Sequence, residues 1–221
     1  VEQADLIRRW QHGWGLAREL APAEPISGVD GTRALEVTLD LPGRYREFVT
    51  IDPEAVHWLV PETVKAERPT WLSVPAADVA PALRAFADGG LRQIGTLDYL
   101  MSISLAEHPV RPVPEGYHVR SALAGSVLRV EVVDGNGEVA ARGLAGLAGE
   151  DAVAHGIVTE AAHRRRGLGS VVMSTLCREA TAHGATTGLL CAVPDGEKLY
   201  TALGWTKRAQ FVTGAVPTSG S

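Results

Sequence analysis

HRRRGLGS, residues 163–170, stands between the apolar run IVT at 157–159 and VVMSTLCREATAH at 171–183. Three arginines and two glycines therefore separate a strand pattern from a helix pattern. A helix N-terminus carries unpaired backbone N–H groups and the positive end of the helix dipole, and it holds a phosphate when the backbone can come close. Gly167 and Gly169 remove the side chains that would block that approach, and Arg164, Arg165 and Arg166 add charge at the same place. The stretch is neither a Walker loop nor a dinucleotide GxGxxG turn. Its two readings are a phosphate cradle and a surface turn with a solvated arginine cluster.

Working outward, the helix after the loop puts Val172, Leu176 and Ala180 on one face and stops at Gly184. Before the loop, YHVRSAL and AVAHGIVT read as strands, and between them SVLRVEVVDGNGEVAARGLAG reads as a hairpin turning at Asp134-Gly135-Asn136-Gly137. After the helix come TGLLCAV as a strand, DGEKLYTAL as a short helix and GWTKRAQFVT as a last strand. The order in this half is β-β-β-β-α-β-α-β.

The first half opens on a helix, ADLIRRWQHGWGLAREL, with Leu6, Trp10, Trp14, Leu16 and Leu20 near helical spacing. TRALEVTLDLPGRYREFVTI reads as a hairpin turning at Pro42-Gly43, and DPEAVHWLV as a short helix entered through Asp52 and Pro53. WLSVP is a brief strand, Asp78 caps a helix bearing Val79, Leu83 and Phe86, and LRQIGTLDYLMSISL is a strand. AEHPVRPVPEG, with three prolines, marks the domain boundary. The succession of strand, Val-Pro, acidic cap, helix and strand occurs in both halves, a weak internal repeat.

With 221 residues, 45% apolar composition and a net charge of −5, the chain is long enough for one substantial core or two small ones. The acidic balance argues against a nonspecific grip on nucleic acid. No window reaches the ~18 apolar residues of a membrane span, and the N-terminus has no apolar signal core, so a cytoplasmic protein is expected. Cys177 and Cys191 have neither metal nor disulfide spacing and read as buried, reduced thiols. His12, His57, His108, His118 and His183 show no ligand spacing, and no metal is implied.

IVTEAAHRRRGLGSVVMSTL resembles the acyl-CoA site of the GNAT superfamily of N-acyltransferases. Arg164, Gly167 and Gly169 meet its Gln/Arg-x-x-Gly-x-Gly/Ala pattern, and LYTALGW at 199–205 is similar to the LYxxLGF signature one strand and one helix later. The resemblance runs from about Tyr117 to Val212. It implies an α/β GNAT fold, a mixed and mostly antiparallel sheet flanked by helices, and acetyl-CoA as cosubstrate. It also implies that the backbone of Ile157, Val158 and Thr159 pairs with the pantetheine arm, while Arg164, Arg165, Arg166, Gly167, Leu168, Gly169 and Ser170 bind the coenzyme phosphates.

The match has departures. Ala161 stands where the family commonly has proline, and the segment VPDGEKLY is shortened and lacks an asparagine. Only SALAGS separates YHVR from VLRVEVV, so the family's first two helices are missing. The chain thus looks like the truncated form in glycine N-acyltransferase-like proteins, where an N-terminal region completes the acceptor side. The implied domains are 1–106, a degenerate GNAT-like or acceptor-side region, a linker at 107–115, the catalytic domain at 116–213 and a flexible tail at 214–221.

For chemistry, Tyr200 occupies the signature tyrosine that donates to the coenzyme sulfur in many relatives. The family's frequent glutamate base is replaced by Val153, and His155, two positions on and on the same strand face, is the candidate base, with Asp151, Glu160 and His163 behind it. The tryptophans Trp10, Trp14, Trp58 and Trp71 read as core or as the lining of an acceptor pocket. The expected activity is acetyl transfer to a primary amine of a small molecule in a ternary complex, by a monomer or homodimer that engages neither nucleic acid nor membrane. Acetylation of a protein N-terminus or lysine, and a noncatalytic acyl-CoA-binding module, remain open alternatives.

Overall fold

The computed structural model describes residues 2–28 and 31–217. In chain order the elements are α1 (Glu2–Ala17), β1 (Glu24–Gly28), β2 (Gly31–Leu41), β3 (Arg44–Thr50), α2 (Val56–Lys65), β4 (Thr70–Ala76), α3 (Ala80–Gly89) and β5 (Arg92–Ser104). There follow β6 (Tyr117–Ala124), β7 (Val127–Asp134), β8 (Val139–Ala148), β9 (Asp151–Thr159), α4 (Leu168–Ala182), β10 (Thr187–Ala192), α5 (Pro194–Ala202) and β11 (Thr206–Ala215). The β-β-β-β-α-β-α-β order expected of the second half is present, and β1 is an addition that its Pro-containing, polar sequence EPISG does not announce. No helix among the described residues is long and apolar enough to cross a membrane.

Two compact units form, and neither is contiguous in sequence. The first takes the described residues of 1–8, 20–100 and 207–221, and the second takes 9–19 and 101–206. The sequence-based division at 106, with the last strand in the second domain, differs from this partition at three places. The end of α1 goes to the second unit, β5 is shared at Leu100 and Met101, and β11 goes to the first unit. The reason is strand pairing, since β11 lies antiparallel beside β4, from Gln210 opposite Ala76 to Ala215 opposite Trp71. Of the tail expected at 214–221, Gly214 and Ala215 lie in β11 and 218–221 are outside the described residues.

In the first unit the strand order is β1-β2-β3-β4-β11-β5. Gly43, at φ +72°, turns β2 into β3, and β3 then pairs in parallel with β4 through the crossover helix α2. Asp52 caps the short 3₁₀ turn that enters α2, accepting from Glu54 N at 3.0 Å. Asp78 similarly accepts from Ala80 N at 2.9 Å as α3 begins, and Gly90 at φ +88° ends that helix. Phe48, Val56, Leu59, Leu72, Val74, Phe86 and Val212 form this unit's core.

In the second unit β10 stands beside β9, followed in order by β8, β7 and β6. Asp134 closes the β7–β8 turn by accepting from Asn136 N (2.9 Å) and Glu138 N (3.0 Å), with Gly137 at φ +84°. Residues 171–177 and Ala180 of α4 are buried, and the helix packs on β7, β8 and β9. Gly143 lets it sit close, because a Cβ there would be 2.8 Å from Val172 Cγ1. Cys177 and Cys191 are free thiols; burial pushes Cys177 up to about 12. Cys191 is only half-buried, because it lies one residue beyond the last β9–β10 pair.

Across the opposite face of β8 and β9 runs the C-terminal part of α1. Arg9 pairs with Asp151, Gly13 touches Val153 and Trp14 meets His155, so the helix follows β9 two strand residues at a time. Trp10 and Trp14 stack at 5.8 Å and are 6% and 7% exposed, which makes them core residues of this layer.

Candidate active site

β9 and β10 pair in parallel from Asp151 opposite Thr187 to Ala154 opposite Leu190, and among the described residues the pairing ends there. Immediately afterwards Gly156 adopts φ +63° and the β8–β9 register slips between Arg142 and Leu144. This is a β-bulge, which bends the strand and re-aims its side chains. His155 remains on the α1 face, whereas Ile157 crosses to the α4 face, its Cδ1 lying where a Gly143 side chain would project. From His155 onward β9 is held on one side by β8 and is free of β10 on the other.

The direction of its backbone groups follows from parity. Glu160 N donates to Ala140 O at 2.9 Å, so Glu160 and Val158 face β8, while Thr159 and Ile157 turn their N–H and C=O to the open edge. Arg164 Nε donates to Thr159 O at 3.2 Å, consistent with that direction. Of the three residues expected to offer backbone to pantetheine, Ile157 and Thr159 have their N–H and C=O at the open edge, and Val158 has its own in the ladder with β8.

The open edge leads straight into the arginine and glycine loop. Gly167, at φ +76°, is the left-handed N-cap of α4, and the first helical bond runs from Val171 N to Gly167 O at 3.1 Å. The N–H groups of Leu168, Gly169 and Ser170 precede that bond and have no acceptor in the helix. Leu168 is 1% exposed, so it offers its backbone and not its side chain. A Cβ on Gly169 would lie 3.4 Å from Leu199 Cδ2 and 3.7 Å from Thr159 Oγ1, which brings the loop, β9 and α5 together. Glycine at 167 and 169 thus leaves a backbone concavity with three inward N–H donors, which suits the pyrophosphate of an acyl-CoA.

The three arginines are not equivalent. Arg164 is bonded to Thr159 O, and Arg166 donates to the Tyr117 hydroxyl at 2.8 Å and to Ala162 O at 3.4 Å. Arg165, exposed and at φ +62°, has no bonded partner among the described residues. Tyr117, which the sequence patterns did not single out, also bonds His163 Nδ1 at 2.9 Å.

Tyr200 lies on α5, one residue beyond Leu199, and packs against Trp205 at 6.1 Å between ring centres. It is 9% exposed, and burial pushes its hydroxyl up to about 12. His155 is half-buried on the other face of β9, with its ring edge-on to Trp14 at 6.3 Å. The lesser candidates for a base are all engaged: Asp151 by Arg9 (2.6 Å), Glu160 by Arg142 (2.9 Å) and His163 by Tyr117.

Residues 98–205 match the family model described as acetyltransferase (GNAT) family. No curated protein matches the chain in sequence. Among solved structures, a GCN5-related N-acetyltransferase from Kribbella flavida is 17% identical with a TM-score of 0.71, covering 98% of this chain and 96% of that one. Another, from Sphaerobacter thermophilus, is 14% identical at TM-score 0.63, with 96% and 92% covered. A tandem GNAT protein from the clavulanic acid biosynthesis pathway is 14% identical at TM-score 0.58, with 99% and 96% covered. Identities this low speak for the fold, and the family match coincides with the bulged strand, the glycine loop and the LYTALGW helix. Residues 98–205 are thus similar to the GNAT acetyltransferase family, and the chain shares the fold of GNAT proteins.

Proposed function

We propose that the second unit transfers an acetyl group from acetyl-CoA to a primary amine of a small molecule, by direct attack within a ternary complex. The observation that carries this reading is the free edge of β9 at Ile157 and Thr159, which ends at the unpaired N–H groups of Leu168, Gly169 and Ser170. An extended amide-bearing arm with a pyrophosphate at its end matches that run of donors and acceptors. The cosubstrate supplies an activated acyl thioester.

This chain's residues then have a proton to move. An alkylamine with a pKa near ~10.4 is roughly one part in a thousand or less neutral at pH 7, so the acceptor nitrogen must shed a proton as its bond to the acyl carbon forms. His155 receives it through water, from its place on the face of β9 that lies against Trp14. The N–H of Thr159 or Ile157 faces the open edge and donates to the acyl oxygen. Tyr200, kept neutral by burial, gives a proton to sulfur as the carbon–sulfur bond breaks and is reprotonated from water, so that of the ammonium's two lost protons one is balanced at sulfur and one is released to solvent by way of His155.

The test is thiol release from acetyl-CoA across small amines, amino acids, aminoglycosides and peptides. Turnover with a small amine supports the reading. Turnover with peptides alone reassigns the acceptor, and tight acetyl-CoA binding without turnover on any amine replaces an enzyme with a binding module.

A further inference from the structure

The loop from Glu160 to Gly167 joins β9 to α4, yet its strongest side-chain anchor is on β6, at the far edge of the second unit's sheet. Three strand spacings, roughly 14 Å, separate β9 from β6. The ladder registers explain how the anchor comes within reach. Tyr117 is opposite Asp134, and the β7–β8 and β8–β9 pairings carry that level through Val139 and Ala141 to Thr159, so Tyr117 and the loop share one end of the sheet.

We infer that Tyr117 is a positioning residue for acyl-CoA phosphate binding, acting by holding Arg166 and His163 through one shared hydroxyl. This rests on the acyl-CoA reading of the loop. Arg166 has only donors, so the Tyr117 oxygen accepts from it, and the same hydroxyl pairs with His163 Nδ1. Two loop residues three positions apart are thereby pinned to a strand. His163 also packs edge-on to the Tyr117 ring, with 5.8 Å between centres. The pinned loop sets the left-handed turn at Arg165 and Gly167, and Arg165 is the guanidinium left to meet a phosphate.

Tyr117→Phe keeps the ring and deletes the shared partner. Acetyl-CoA and S-acetylpantetheine, which has the thioester arm without the nucleotide and pyrophosphate, are compared as acyl donors with one amine. The variant should raise KM and Kd for acetyl-CoA about five- to twentyfold with kcat within about twofold, and should alter kcat/KM for S-acetylpantetheine by no more than about twofold. A double-variant cycle with Arg166→Ala should be non-additive, because both substitutions break one network. Unchanged acetyl-CoA affinity in Tyr117→Phe overturns the inference, as does an equal loss on both donors, which would mark a general structural role. A parent protein that neither binds nor uses acetyl-CoA overturns the functional reading itself, and that result is seen before any variant is made.

Discussion

Arg9 forks onto Asp151, with Nε and Nη2 at 2.9 and 2.6 Å from the two carboxylate oxygens, and so fastens the second half of α1 to the start of β9. Asp151 is 6% exposed, whereas the Arg9 side chain is 37% exposed. Removing the arginine leaves a buried carboxylate with its charge uncompensated. A fully buried pair costs ~3–5 kcal/mol to break in this way, and water reaching the guanidinium side reduces the loss to about 2 kcal/mol. Arg9→Ala should therefore lower the thermal midpoint by roughly 4–8 °C. Thermal unfolding of this variant checks it, and a midpoint within a degree of the parent would show the pair contributes nothing.

Glycine at 146 is dictated by the same helix. A Cβ there would fall on the Gly13 carbonyl oxygen and 2.8 Å from Ala17 N, both backbone atoms that cannot turn aside. Gly146→Ala should push α1 away from β8 and carry Trp14 away from His155. The expected outcome is lower stability, with kcat/KM for the amine falling at least tenfold and acetyl-CoA affinity kept within about threefold. Equal losses on both substrates would separate this helix from the acceptor side.

Gly169 is the opposite case. Its nearest neighbours to a Cβ are at 3.4 and 3.7 Å, ordinary contact, so a side chain fits without displacing the fold. Gly169→Glu puts a carboxylate on the concavity beside the unpaired N–H groups. The parent's midpoint should rise with acetyl-CoA by mass action, by RT ln(1 + [L]/Kd), and the variant's should not. A folded variant that binds acetyl-CoA as tightly as the parent would remove the phosphate cradle from this loop.

What could be read from the chain alone followed the range of the interaction. The hairpin at Asp134-Gly135-Asn136-Gly137 and the loop at Gly167 depend on local backbone conformation, and both were legible. Tyr117 was not, because its partners are 46 and 49 residues away and nothing at Tyr117 itself marks them. The bulge at Gly156 was equally hidden, since a glycine in a strand pattern does not say which side chains it re-aims. The partition of α1 and β11 between the units depends on pairings such as Thr213 with Ser73, 140 residues apart, which periodicity cannot report.

His108 makes the second unit's stability depend on pH. It is 9% exposed, its Nδ1 is 3.1 Å from Pro109 O, and its Nε2 is buried without a hydrogen-bond partner among the described residues. Burial holds its pKa below the usual 6.5, with the Arg111 charge acting in the same direction. The unfolded chain then binds more protons than the folded one as pH drops below about 6.5, so stability falls in that window and is fully present above it. His108→Leu should flatten this part of the profile, read as urea midpoints from pH 7.5 to 5. A parent and variant with the same slope would exclude His108 as the group responsible.

Tyr200 and His155 should divide the pH–rate profile between them. Burial places the Tyr200 hydroxyl at about 12, so it stays protonated and able to donate throughout the range in which an assay runs. No limb below pH ~11 belongs to it, and Tyr200→Phe should lower kcat about tenfold or more without moving any limb or changing acetyl-CoA affinity much. His155 acts in the opposite sense, because only its neutral form takes a proton. kcat/KM should rise with pH through a limb that stays fixed when the amine is changed, while a second limb tracks the amine's own pKa. His155→Gln, which keeps polarity and approximate size, should cost about ten- to a thousandfold and abolish the fixed limb alone. If the fixed limb survives that substitution, His155 is a strand residue packed beneath Trp14, and the proton leaves the amine through water without a side-chain base.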